Sequence, residues 1–239
     1  MRTAILADIH GNRTALEAVI EDMRQMSPDL IPHGGDLSDG GAGAAEIVDR
    51  IRDLGWQGVM GNTDEMLFRA EKLGEIAAQS PKFQPLFAAI EEMATATREL
   101  LGEERIAWLR SLPQVQTTGE LALVHGTPQS AWRAPAPEAA DTEFESVYGP
   151  LAKSLVAYGH IHRPFVRNVG GMIIANTGSV GLSYDGDSRA SYLIVDDLEI
   201  TIRRVEYDVE AEIRILTQSG FPHADWIANT LRHASVQTL

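Results

Sequence analysis

The first sixty residues alternate short apolar runs with helix-period stretches, and that alternation narrows the fold more than any other feature of this 239-residue chain. A strand reaches Ala7, a helix covers Thr14–Met26, a strand covers Leu30–Pro32, a helix covers Ala44–Leu54 and a strand covers Gly58–Met60. Strand and helix in this order imply parallel strands with right-handed crossovers. From Glu65 to Leu112 the period stays helical for longer than one crossover needs, with breaks at Pro81 and Pro85 and a stop at Pro113, which predicts an inserted helical cap. Strand patterns return at Leu121–Val124, Leu155–Tyr158, Phe165–Val169, Met172–Ala175, Ser191–Val195 and Ile200–Val205. Short Gly- or Asp-containing turns join several of them, so the second half is expected to be mostly antiparallel. Ile213, Leu216, Ile227 and Leu231 lie at helical spacing around Gly220-Phe221-Pro222 and predict a helical tail over about 208–235. The even composition predicts one domain over residues 1–239.

Residues able to hold a metal cluster just after the apolar runs. Asp8-Ile9-His10 follows Ala4-Ile5-Leu6-Ala7, and Gly159-His160-Ile161-His162 follows Leu155-Val156-Ala157-Tyr158. In extended backbone, residues i and i+2 share a face, so each pair reads first as half a chelate for one ion. Gly35-Asp36, Gly61-Asn62 and His125-Gly126 complete a set of five loops. Taken singly, Asp36 reads as a turn residue or cap, Asn62 as an N-cap, and His125 as a satisfied strand-end histidine. His33, His223 and His233 are read that last way too. Gly40-Gly41-Ala42-Gly43 reads as a plain loop before a helix, because Glu46 stands where a dinucleotide fingerprint needs its third glycine.

Composition removes several classes of function. A net charge of -14 opposes binding of polymeric nucleic acid. With no cysteine in the chain, any metal must be held by nitrogen and oxygen. The apolar run before Asp8 is too short for a signal peptide and no stretch could span a bilayer, so the expectation is a cytoplasmic protein without membrane contact.

The ordered series D-x-H, G-D, G-N, H, G-H-x-H from Asp8 to His162 resembles the calcineurin-like metallophosphoesterase family. His125-Gly126-Thr127-Pro128, Asn176-Thr177-Gly178-Ser179-Val180-Gly181 and Arg189-Ala190-Ser191-Tyr192 resemble its compact prokaryotic phosphodiesterase branch. The resemblance implies an α/β fold, a four-layer α-β-β-α sandwich with mixed sheets and a helical insertion. It implies one metal held by Asp8, His10, Asp36 and His162 and a second by Asp36, Asn62, His125 and His160, with Asp36 as the bridge. His160 and His162 would then serve different ions, which revises the one-ion reading of that pair. The implied cofactors are two divalent transition-metal ions, manganese first, with iron, zinc, nickel or cobalt as alternatives. Asp8, His10, Asp36, Asn62 and His125 would form the catalytic set, and Asn12, Asn62 and His125 would touch substrate, Asn12 being also the expected N-cap of the first helix.

The activity so implied is hydrolysis of a phosphodiester in a small molecule or nucleotide by metal-activated hydroxide. Where phosphoprotein phosphatases of this family place histidine after Gly-Asn, this chain has Thr63, too weak an acid to protonate a poor leaving group. That shifts the expectation toward good leaving groups such as aryl or nucleotidyl groups. Alternative readings are a dinucleoside polyphosphate hydrolase, a phosphomonoesterase, or a non-catalytic binding scaffold of the same fold. Asp64 is read either as supporting the ligands or as complementing the start of a helix. Asn176, Tyr184 and Arg189 are further candidates, Phe83, Phe87, Met93 and Trp108 are candidate pocket walls, and the helical insertion is a candidate dimer face, which would make a homo-oligomer.

Overall fold

Alternation along the strands sorts the apolar residues into three separate layers of core. The computed structural model describes residues 1–79 and 81–238. Strand β1 (Arg2–Ile5) pairs antiparallel with β7 (Ala190–Asp196), and β7 pairs with β8 (Glu199–Val205). A second sheet has the order β2 (Val115–Thr118), β3 (Leu121–Val124), β4 (Leu155–Tyr158), β6 (Met172–Asn176), β5 (Phe165–Val169). Ile5, Leu123, Leu155, Ala157, Leu193 and Val195 point between the sheets and bury one another there. The neighbours of these residues face outward on either side. Ala4, Leu6, Tyr192 and Ile194 pack under α1 (Arg13–Met26), α2 (Ala44–Asp53) and α5 (Gln84–Arg110). On the far side Val124, Val156, Tyr158 and Ile174 pack against Phe144 and Tyr148 of α6 (Asp141–Tyr148). The result is the expected order of layers, helices, sheet, sheet, helix, built on the period-2 rule.

Two expectations about strands need correction. Leu30–Pro32 and Gly58–Met60 do not form extended strands; they touch the first sheet through single parallel bridges, Thr3 to Leu30, Leu6 to His33 and His33 to Gly58. The parallel sense of the βαβαβ reading holds at those bridges. The second half is less antiparallel than expected, because β3 pairs parallel with β4 and β4 pairs parallel with β6.

The stretch expected as a helical insertion holds α3 (Asn62–Met66), α4 (Glu71–Gln79) and α5, and it crosses residue 80, outside the described residues. Pro85 sits in the first turn of α5, where a missing N–H costs nothing, so it starts that helix instead of breaking it. The actual break in α5 is at Gly102, whose φ of 67° leaves the helical region. Met93 of α5 packs with Ile213, Leu216, Ile227 and Leu231 of the tail helices α7 (Val209–Ser219) and α8 (Ala224–His233). Among the described residues no helix is long and apolar enough to cross a membrane.

Candidate metal centre

Every ligand-type loop leaves the C-terminal end of a strand or bridge segment, so two sheets deliver their loops to one place. Asp8 and His10 follow β1, Asp36 follows the His33 bridge, Asn62 opens α3 after the Gly58 bridge, His125 follows β3, and His160 and His162 follow β4. The sheets are tied there by backbone: the Asp8 carbonyl accepts from Gly181 N–H at 2.9 Å and from Ser179 Oγ at 2.6 Å, and Asp8 carboxylate oxygens accept from His160 N–H at 3.1 and 3.2 Å.

These side chains are aimed by left-handed turns and not by extended backbone. Asp8, His10, Asp36, His160 and His162 have φ of 56, 51, 54, 69 and 53°. Asp and His tolerate this region better than most residues, yet each instance costs on the order of 1 kcal/mol and persists only where the surroundings enforce it. The same-face argument from strand geometry therefore does not describe either pair.

One ligand atom from each of Asp8, His10, Asp36 and His162 lies within 4.8 Å of all the others. His10 Nε2 is 3.2 Å from His162 Nε2 and 3.6 Å from Asp36 Oδ2, and His162 Nε2 is 3.4 Å from Asp8 Oδ1. The same Asp36 Oδ2 is 3.4 Å from His125 Nε2 on its other side. His125 Nε2 and His160 Nδ1 both approach Asn62 Oδ1, at 2.9 and 2.8 Å. Two groups of donors thus meet at one carboxylate oxygen, and all seven expected ligand residues are brought together.

Hydrogen bonding at the far side of the rings tests whether a cation fits. His10 Nδ1 donates to the Asp39 carbonyl at 2.7 Å, and His162 Nδ1 donates to the Leu182 carbonyl at 2.5 Å. A carbonyl can only accept, so in the neutral rings Nε2 carries the lone pair, and two lone pairs face each other across 3.2 Å. Without a cation that arrangement is repulsive; with one it is a pair of ligands. Octahedral coordination at about 2.1 Å sets neighbouring donors about 3 Å apart, close to the separations seen here. The donor set of imidazole, carboxylate and amide oxygen suits divalent transition metals.

Burial pushes the His10 imidazole below its usual range, with the facing His162 adding to the effect, and burial likewise takes His160 down to about 4. For Asp36, burial alone would favour the acid, but His125 and His10 overcome it and hold the carboxyl far below the usual range. His125 is the exception among the rings: burial lowers it, Asp36 outweighs burial, and the result is raised to about 9. The metal-free protein near neutral pH therefore carries a proton on His125, which must leave before Nε2 can bind a cation. Metal affinity is expected to rise with pH between about 6 and 8, approaching tenfold per unit for one proton released. Calorimetry of manganese binding in buffers of different ionisation enthalpy measures the proton directly, and a pH-independent affinity would contradict it.

Asp64 turns out to organise the loops. Its carboxylate, fully buried, accepts from Asp36 N–H at 2.8 Å, Leu37 N–H at 3.0 Å and Gly61 N–H at 3.0 Å, so it binds the loops of Asp36 and Asn62 together. Burial, with the Asp36 charge adding, raises its pKa to about 6. The spacing of a carboxylate three residues into a helix that starts at Gly61 was the available signal. Gly61 itself must lack a side chain, since a Cβ there would overlap Asp36 Oδ1. The glycine-rich loop has a similar reason: a Cβ on Gly41 would lie 2.6 Å from the His10 carbonyl, so glycine lets this loop press against the Asp8–His10 turn.

The remaining candidates divide between the site and the scaffold. Asn12 is the expected N-cap: its side chain caps α1 by accepting from Ala15 N–H at 2.9 Å and donates to the Gly181 carbonyl and to Tyr207 Oη. Its amide is spent inside the protein. Asn176 is engaged in the same way, by the Gly159 carbonyl and Gly178 N–H. Arg189 pairs with Asp187 on the surface. Tyr184 does reach the site, stacked on the His162 ring with centroids 4.4 Å apart. His33, expected to be a satisfied histidine, is fully buried with neither ring nitrogen partnered among the described residues, and burial lowers its pKa to about 3. His223 pairs with Glu92, and His233 bonds the Asn229 carbonyl.

The chain is similar to known proteins over most of its length. The profile described as the calcineurin-like phosphoesterase superfamily domain matches residues 1–198. A curated protein of Methanocaldococcus jannaschii, "Uncharacterized protein MJ0912", is 30% identical over 251 residues, covering 95% of this chain and 96% of its own. Among solved structures, a metallophosphoesterase from Sphaerobacter thermophilus is 27% identical with a TM-score of 0.79 and covers 98% of this chain and 100% of its own. Protein PH1004 of Pyrococcus horikoshii OT3 shares the fold, with 19% identity, a TM-score of 0.83 and 99% of both chains covered.

Proposed function

The chain belongs to the calcineurin-like phosphoesterase superfamily, and on that premise we propose that it is a phosphodiesterase acting on a small molecule or nucleotide with two divalent transition-metal ions, manganese first. The observation that carries this reading is the single oxygen, Asp36 Oδ2, placed between His10 at 3.6 Å and His125 at 3.4 Å. Asp8, His10 and His162 would hold one ion with Asp36, and Asn62, His125 and His160 would hold the other. When bound, such ions polarise phosphoryl oxygens and lower the pKa of a water. Iron, zinc, nickel and cobalt suit the same donors.

The chain's own residues supply position and charge. The carbonyls of Asp39, Leu182 and Gly34 fix the ring orientation of His10, His162 and His125, each through Nδ1. Asp64 holds the Asp36 and Asn62 loops at a fixed separation. Thr63 stands beside Asn62 with its N–H bonded to Asp36 Oδ1 at 2.9 Å, and its hydroxyl is too weak an acid to protonate a poor leaving group. This favours esters that leave as stable anions over protein phosphoserine. We read residues 1–239 as one domain, in which the stretch 65–112 walls the site, and its setting as the cytoplasm.

The test is turnover of bis(p-nitrophenyl) phosphate by protein stripped of metal and then given manganese. Release of p-nitrophenolate only after metal addition is the expected result; no release with manganese, zinc, cobalt, nickel or ferrous iron would remove the reading. A dinucleoside polyphosphate substrate would need cations for its extra charges, and among the described residues no lysine or arginine lines the cavity beside the site.

A further inference from the structure

A cavity of about 250 Å3 opens beside the candidate centre, and its two ends differ in chemistry. His10 and Asn62 form one end, and Phe87, Ile90, Met93 and Trp226 form the other. Three other cavities, each of about 320 Å3, are lined by none of the seven ligand-type residues, and two of them share wall residues with this one, Leu73 and Phe87 in one case and Ile76 and Trp132 in the other. The apolar end is supplied by α5 and α8, which the phosphoesterase profile covers only in part, since it stops at residue 198.

Resting on the phosphodiesterase reading, we infer that this cavity receives an uncharged apolar arm of the substrate, of aryl size, while the phosphoryl group lies against His10 and Asn62. Size fits first: an apolar cavity of roughly 150 Å3 takes a benzene molecule, so this one holds a ring with several further carbons. Charge fits next. Asp39 is buried in the wall, and among the described residues no lysine or arginine lines this cavity to neutralise a second phosphate. Polar groups away from the His10 and Asn62 end are few, and several are engaged within the protein. Asp39 Oδ1 accepts from Thr97 Oγ1 at 2.8 Å, and Trp226 Nε1 donates to the Gln237 carbonyl at 3.0 Å. Trp132 Nε1, also in the lining, donates to Glu65 at 2.7 Å. With those atoms engaged elsewhere, the wall offers a nucleobase edge little to pair with, whereas a hydrocarbon surface needs no partner.

The experiment uses the manganese-loaded full chain and methylphosphinic acids, CH3–P(O)(OH)–R, which carry one negative charge and one arm R bonded to phosphorus through carbon, so that no ester bond is there to be cleaved. Calorimetric Kd values for R of methyl, ethyl, propyl, butyl and phenyl are expected to tighten about fourfold per added methylene, with phenyl among the tightest. Ile90→Asn, a change that adds no charge, should flatten the series, and Ile90→Trp should fill the cavity and remove the gain for the phenyl compound. Thermal melts of both variants separate a lost cavity from a lost fold. A Kd that is the same for every arm in the unaltered protein overturns the inference even if p-nitrophenyl diesters are hydrolysed. A graded series in a protein that hydrolyses no diester supports the cavity's ligand while overturning the phosphodiesterase reading, so the two failures are distinct.

Discussion

Asp36→Asn is expected to lower kcat/KM on an aryl phosphodiester roughly 1,000-fold or more, since a metal's electrostatic contribution is several kcal/mol and 1.36 kcal/mol is tenfold in rate. The substitution is nearly isosteric. An amide carbonyl can keep the bond from Thr63 N–H that Asp36 Oδ1 accepts now, which places NH2 where Oδ2 stood. That nitrogen has no lone pair to share, so the one atom common to both groups of donors is lost, together with a negative charge facing His10 and His125. The metal-free fold is expected to lose some stability, because the carboxylate that holds the His125 proton is gone and that buried ring is left without its partner. Three readouts therefore separate: metal content falls, the rate collapses, and His125 no longer titrates above its ordinary range, while the circular dichroism of the stripped protein stays that of the parent. An undiminished rate would remove Asp36 from the mechanism.

Asp64→Ala is expected to have the largest effect on stability, a loss of about 3 kcal/mol or more for metal-free protein. Three buried N–H groups, those of Asp36, Leu37 and Gly61, lose their acceptor together, and each orphaned donor costs about 1–3 kcal/mol. Relief of the cost of burying a carboxylate offsets part of this, since burial raises the Asp64 pKa to about 6. Urea unfolding of the stripped variant measures the loss through the shift in midpoint at constant slope. A loss below about 1 kcal/mol would mean that water or a shifted loop satisfies the three donors. Because the same carboxylate ties the Asp36 loop to the Asn62 loop, metal affinity should fall as well, by about 10–100-fold as for other groups that orient ligands.

What could be read in the sequence, and what could not, follows from which forces leave a periodic trace. Period-2 alternation placed β3, β4, β7 and β8 within a residue or two, because each of these strands divides its side chains between two layers of core. Strand direction was missed at β3, β4 and β6, since alternation carries no sense of pairing. The clue was burial on both faces: every residue of β4, Leu155 to Tyr158, is buried, as suits a parallel strand inside a sheet. Helix α6 was missed because Phe144 and Tyr148 are its only buried positions, too few to set a helical period. Strand β2, Val115–Thr118, has no buried residue at all and gave no signal.

The ligand-type residues stood out because they follow apolar runs and are chemically uncommon there. Their exact aim did not, since it depends on left-handed turns at Asp8, His10, Asp36, His160 and His162. The N-cap role expected of Asn12 is met, and its role toward substrate was not legible, because a cap and a phosphate contact use the same side chain at the same helix terminus. Among the candidate walls, Phe87 and Met93 line the cavity. Phe83 is exposed, and Trp108 packs in the helical core beside His33. All four sit at helical spacing, and only the packing of α5 against the tail separates them.

The most direct measurement is a crystal structure of manganese-soaked protein with data collected at the manganese absorption edge. The account predicts two anomalous peaks: one among Asp8, His10 and His162, the other among Asn62, His125 and His160, both in contact with Asp36. A single peak, or none at Asp36, would contradict it.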